Sequence, residues 1–250
     1  MKRPVIIFVL LFIIVLSFAF VWAKLQVAGA DDNYFNQQLR GKFAARPWFR
    51  QLLGLHYDGD GRADYLGRRY NKVLIEVDIM QEGNIDRQVL DDLAQKIQAL
   101  LSKPTSYLIS DRSIPYQSTL TKEEIAALVR RYRNHRNPRD TATVYLLYAS
   151  RLKDEPTLLG LTYQEYAIIL FGESLQEFTQ SNPKTLASYE ASTALHEFGH
   201  QIGLPHSNDP NCLMNEHAGA VRLGRMARER PEDVIVDFCE YEKQGIQIYK

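Results

Sequence analysis

The chain has 250 residues, of which 45% are hydrophobic, 11% aromatic and 24% charged, the composition of a globular protein with one sizeable core. Fourteen glycines and ten prolines are too few for a collagen-like or linker-dominated architecture, and 30 Lys+Arg against 30 Asp+Glu leave no basic footprint for a nucleic-acid partner. Cys212 and Cys239 are too few for a zinc ribbon or a disulfide-dense scaffold and allow at most one bridge.

Residues 5–23 are apolar on every face apart from Ser17, follow Lys2 and Arg3, and at about 1.5 Å rise per residue nearly span a bilayer core. Residues 1–24 are therefore expected to be a membrane anchor or signal segment. The basic pair should stay in the cytoplasm, which places everything from Lys24 onward outside it. Val21-Trp22-Ala23 resembles a small-residue cleavage site, but the apolar run is longer than the roughly 7 to 15 residues of a signal-peptide core. A single-pass anchor in the cell membrane is favoured over secretion after cleavage near Ala23.

Residues 25–70 are polar, with scattered aromatics (Tyr34, Phe35, Phe43, Trp48, Phe49) and no sustained period. They read as a stalk, a pro-like segment or a piece packed on the main domain. Within them Asp58, Asp60 and Asp64 occupy positions 1, 3 and 7 of a glycine-containing loop. That resembles the start of a calcium-binding loop, although Arg69 stands at the twelfth position where a glutamate belongs; the alternative is a polar surface turn.

Residues 71–250 carry regular patterns. Alternation over 72–80 predicts a strand, and helical spacing over 85–101 a helix. A second strand is expected at 106–110 and a third at 141–149. Between them Thr121 and Glu124 form a capping-box pattern that opens a helix over 121–133. The strand–helix alternation implies an α/β (α+β) domain with a mixed, mostly parallel twisted sheet. Residues 163–171 read as a fourth strand, and Asn182-Pro183 as the cap and first turn of a helix reaching Gly203. A C-terminal helix is expected over 231–241.

The helix ending at Gly203 carries the chemistry. His196 and His200 are one turn apart on one face, the spacing at which two imidazoles reach one metal. Gly203 suits the left-handed turn that returns His206 as a third nitrogen ligand. Glu197, next to the first ligand, is placed as the base acting on a metal-bound water. Three ligands and an open fourth position describe one catalytic zinc, and peptide hydrolysis is its natural product.

The run from His196 to His206 matches the pattern HExxHxxGxxH and resembles the metzincin zinc metallopeptidases, with Cys212-Leu213-Met214-Asn215 similar to their Met-turn. That resemblance implies zinc held by His196, His200 and His206, Glu197 as general base and acid, and Met214 beneath the metal. It also implies a metzincin-like sheet whose last strand, here 163–171, borders the cleft and pairs with an extended substrate; the alternative is an interior strand with no substrate contact. Gly203-Leu204-Pro205-His206-Ser207 is similar to matrixins and the stretch from Pro210 to Met214 to archaemetzincins. Ser207 replaces the cysteine that archaemetzincins carry after the third histidine, which argues against their second zinc. The matrixin cysteine switch is absent, because no cysteine precedes Cys212. His217 is expected to be a solvent-exposed loop residue. In an oxidising compartment Cys212 and Cys239 should form a disulfide that pins the C-terminal helix under the site.

The expected function is that of a membrane-anchored, extracytoplasmic zinc metalloendopeptidase acting on protein or peptide substrates. Its alternatives are a non-catalytic, metal-stabilised binding or adhesion module and a zinc hydrolase of non-peptide amides.

Overall fold

A single long helix, α1 (Arg3–Val27), opens the chain in the computed structural model, which describes residues 3–30, 32–180, 182–215 and 234–247. Its stretch Val5–Val27 is long and apolar enough to cross a membrane, and its most apolar 18 residues have a mean hydropathy of 3.2 and are not buried against the rest of the protein. Residues 25–70 are folded into short helices. A π-helical turn (Phe35–Leu39) leads into α2 (Arg40–Ala44), α3 (Pro47–Leu53) and α4 (Arg62–Leu66). Val27, Phe35, Ala44, Leu53 and Leu55 are buried together there as a separate small core.

The sheet is built from β1 (Lys72–Ile79), β2 (Thr105–Ile109), β3 (Thr141–Ala149), β4 (Gly160–Tyr163) and β5 (Ala167–Phe171), in the order β2-β1-β3-β5-β4. All pairs are parallel except the last, in which β4 runs antiparallel to β5 along the edge. The central strands β3 and β5 are almost wholly buried, as a sheet covered on both faces requires. Period-two alternation divides β3 between the faces: Val144, Leu146 and Tyr148 pack with α5 (Arg87–Leu101) and the zinc-motif helix, and Tyr145 and Leu147 with α6 (Lys122–Tyr132).

Helix ends follow the sequence signals. Thr121 Oγ1 accepts from Glu124 N and Glu124 Oε2 from Thr121 N, a complete capping box for α6. After α7 (Gly172–Phe178), the motif helix α8 (Pro183–Gln201) starts at Asn182, whose side chain accepts from Lys184 N and Thr185 N, with Pro183 in the first turn.

Two expectations need correction. The single strand expected over 163–171 is a hairpin: Gln164 takes φ 54°, the chain reverses, and β5 lies inside the sheet between β3 and β4. The cleft-side edge is therefore β4. The last described helix is α9 (Glu240–Gln247), later than the expected 231–241, whose first three residues lie outside the described ones. His217 and the rest of residues 216–233 also lie outside them.

Candidate metal centre and cleft

Helix α8 delivers His196, Glu197 and His200 from its last turns. After Ile202 the chain turns at Gly203, φ +81°, with Leu204 N donating to Gly199 O at 2.9 Å, and this reversal brings His206 back to the other two histidines. One ring nitrogen from each of His196, His200 and His206 lies within 4.8 Å of the others, and His200 Nε2 is 3.1 Å from His206 Nε2. Ligands held about 2.0 to 2.1 Å from a tetrahedral zinc are about 3.3 Å apart, so the trio fits that ion.

The other ring nitrogens of His196 and His200 have carbonyl partners. His196 Nδ1 lies 2.8 Å from Leu213 O and His200 Nδ1 3.2 Å from Leu204 O. Donation to those carbonyls fixes the tautomer that leaves each Nε2 lone pair facing the centre. Burial lowers the affinity of both imidazoles for a proton, His196 below its ordinary value and His200, with His196 and His206 adding repulsion, to about 4. Neutral imidazoles packed this closely are what a divalent cation needs.

Met214 is fully buried under the helix: a Cβ on Gly199 would lie 2.2 Å from its Sδ, so only glycine fits there. The turn that carries it is tied on both sides. Met214 O accepts from Ser207 N at 2.7 Å, and Met214 N donates to the buried carboxylate of Glu242 on α9 at 2.8 Å. Glu242 also accepts from Cys239 N, and Cys239 is joined to Cys212, Sγ–Sγ 2.13 Å.

Beside the trio runs a cleft of about 520 Å³, lined on one side by residues 157–162 and on the other by α8. Glu197 is buried in its floor, and burial pushes the carboxyl up to about 7. Thr162 Oγ1, on edge strand β4, lies 2.7 Å from Glu197 Oε2 and 2.9 Å from Glu197 O. Lys122 and Glu155 form an exposed ion pair at the cleft wall.

The aspartates at 58, 60 and 64 do not converge on a cation site. Asp60 is held by Arg40 at 2.9 and 2.7 Å and Asp64 by the buried Arg50, so arginine neutralises both. Among the described residues, the aspartates belong to neither group of three ligating side chains close enough to share an ion. Asp58 instead lines the cleft, where burial and the Asp60 charge raise its carboxyl and His206 lowers it. Gly59 packs against Gly203, where an added Cβ would lie 2.8 Å from the Gly203 Cα. The segment before the sheet thus closes one wall of the cleft. Neither Asp58 nor Thr162 carries a local sequence signal for that placement; both arrive through contacts across the fold.

Residues 162–233 match the family model of the matrixins. Among solved structures the chain is similar to the archaemetzincin of Methanopyrus kandleri, at 14% identity and a TM-score of 0.49, covering 72% of this chain and 96% of that one. It is also similar to the archaemetzincin of Archaeoglobus fulgidus solved with malonate, at 13% identity and a TM-score of 0.44, covering 68% and 98%. No curated protein matches the sequence. The segment matched by the matrixin model includes the histidine trio.

Proposed function

We propose that the protein is a zinc metalloendopeptidase held in the membrane by α1, with its catalytic domain on the extracytoplasmic side. The observation that carries the chemistry is the convergence of three imidazole nitrogens within 4.8 Å beside the buried Glu197 carboxyl. His196, His200 and His206 would hold the ion. Zinc, when bound there, supplies a Lewis acid that acidifies water and polarises a carbonyl.

The chain's own residues account for the rest. Glu197 takes the proton of the attacking water at its carboxylate and returns it to the departing amine. A buried carboxyl beside the ligand trio is placed to make both transfers. Thr162 holds Oε2 of that carboxylate from the side. β4 is the edge strand of the sheet and runs along the cleft, and an extended polypeptide would pair with it as an additional strand.

The N-terminal charges support the topology, since Lys2 and Arg3 precede the apolar helix and would remain in the cytoplasm. The Cys212–Cys239 bridge suits an oxidising compartment. Incubating the zinc-loaded full chain with a diverse peptide mixture and sequencing the new termini tests the activity. New termini inside the peptides are expected, and an unchanged mixture would contradict the reading. Protease added outside intact cells should degrade the domain; protection of the domain would reverse the topology.

A further inference from the structure

The end of α1 is built into the folded domain. Val27 is buried with Phe35, Leu53 and Leu55, and the Trp22 ring meets Phe35 edge-on at 6.3 Å. Gln26 O accepts from Asn33 Nδ2 at 2.7 Å and Asn36 Nδ2 at 3.1 Å. Asn36 Oδ1 accepts from Arg40 Nη1 at 3.0 Å, Arg40 forks onto Asp60, and Asp60 Oδ2 accepts from Tyr57 N at 2.9 Å. The loop so held is the one whose Asp58 lines the cleft. Asp58 also lines a second hollow, whose other wall includes Gly29 and Ala30, immediately after α1. Few side chains separate the foot of the apolar helix from the metal centre.

The same foot carries an uncovered apolar face. Trp48 and Leu52 lie one turn apart on α3 and are 56% and 45% exposed, although Trp48 is the far end of an aromatic series through Phe49, Phe43 and Phe35 to Trp22. Lys42 and Arg46 are exposed in the same stretch. Tryptophan with leucine and neighbouring cations, directly continuous with a membrane-crossing helix, is the chemistry of a bilayer interface.

We infer that the domain is seated on the bilayer surface through the α3 face at the foot of α1, so that its cleft accepts polypeptide anchored in the same membrane and cuts it close to the surface. The inference rests on the membrane-anchor and peptidase readings above.

Trp22 and Trp48 are the two tryptophans of the chain, which allows a direct test. In vesicles of phosphatidylcholine with brominated acyl chains, full-length W22F reports on Trp48 and W48F on Trp22. Quenching of both, with Trp48 quenched most by bromine near the headgroup, is expected. Quenched Trp22 with unquenched Trp48 would overturn the seating while leaving the anchor in place. If neither is quenched, the anchor reading fails and the inference with it.

For the substrate class, one cleavable peptide is attached to a lipid through Gly/Ser spacers of about 10 and about 60 residues in the vesicles holding the full chain. Effective concentration falls roughly as the −3/2 power of tether length, so the short spacer should be cut about tenfold faster. Equal rates, or cleavage only with the long spacer, would overturn the inference. Failure to cut even the untethered peptide would count against the peptidase reading, and the bromine experiment still decides the seating.

Discussion

The Thr162 hydroxyl lies 2.7 Å from Oε2 of Glu197, bridging the edge strand β4 and the motif helix α8 at the floor of the cleft. A carboxylate that must move a proton needs a fixed direction, and this contact supplies it.

Replacing Thr162 by Val removes the hydroxyl and keeps the shape. A hydrogen bond to a charged group contributes about 1.5 to 3 kcal/mol, so kcat should fall about tenfold to a hundredfold with KM little changed. Thr162→Ser should restore most of the rate, and zinc content should be the same in all three proteins. Steady-state kinetics on one peptide substrate checks this; equal loss in the Val and Ser variants would show that packing, not the hydroxyl, matters.

Glu190 predicts a pH dependence of stability. It is 2% exposed, hydrogen-bonded to Tyr148 Oη at 2.7 Å, and burial pushes its carboxyl from 4.5 up to about 7. A carboxyl raised on folding stabilises fully below about pH 4.5, and that contribution is lost as pH rises through 7. At one pKa unit per 1.36 kcal/mol the loss is at most ~3 kcal/mol. Glu190→Gln should flatten the decline and exceed the wild type in stability above pH 7, as read from denaturant midpoints at pH 5 and pH 8.

The Cys212–Cys239 bridge closes a loop with a sequence separation of 27, for which chain entropy gives about 3 kcal/mol. The C212S/C239S pair should lower the unfolding free energy by about that amount. Because the bridge ties α9 to the turn carrying Met214, zinc should also dissociate faster. Unchanged zinc release would confine the bridge to a role in stability.

Zinc itself should act as a folding ligand. At a free concentration a thousand times Kd, binding to the native state adds ~4 kcal/mol, so chelation should lower Tm and added zinc restore it. His206→Ala, which removes one nitrogen of the trio, should abolish the response.

The zinc motif was legible because its three histidines and glutamate lie within eleven residues, two of the histidines one turn apart on α8, and local spacing is what a helix preserves. The parallel sheet followed from strand–helix alternation for the same reason. Contacts over distance were not legible. Thr162 and Glu197 are 35 residues apart, and no periodicity joins them. The β4–β5 hairpin is hidden because Gln164 adopts a left-handed conformation without the glycine that usually marks one. The aspartates of the 58–64 loop resemble a calcium site only while their partners are unknown; Arg40 and Arg50, which neutralise Asp60 and Asp64, stand 20 and 14 residues away.

Cleavage of a peptide substrate by the wild type and by Glu197→Ala, with bound zinc quantified in both, tests the central claim most directly. The account predicts one zinc per chain in each protein and turnover in the wild type alone. Equal turnover in the two, or zinc without turnover in either, would contradict it.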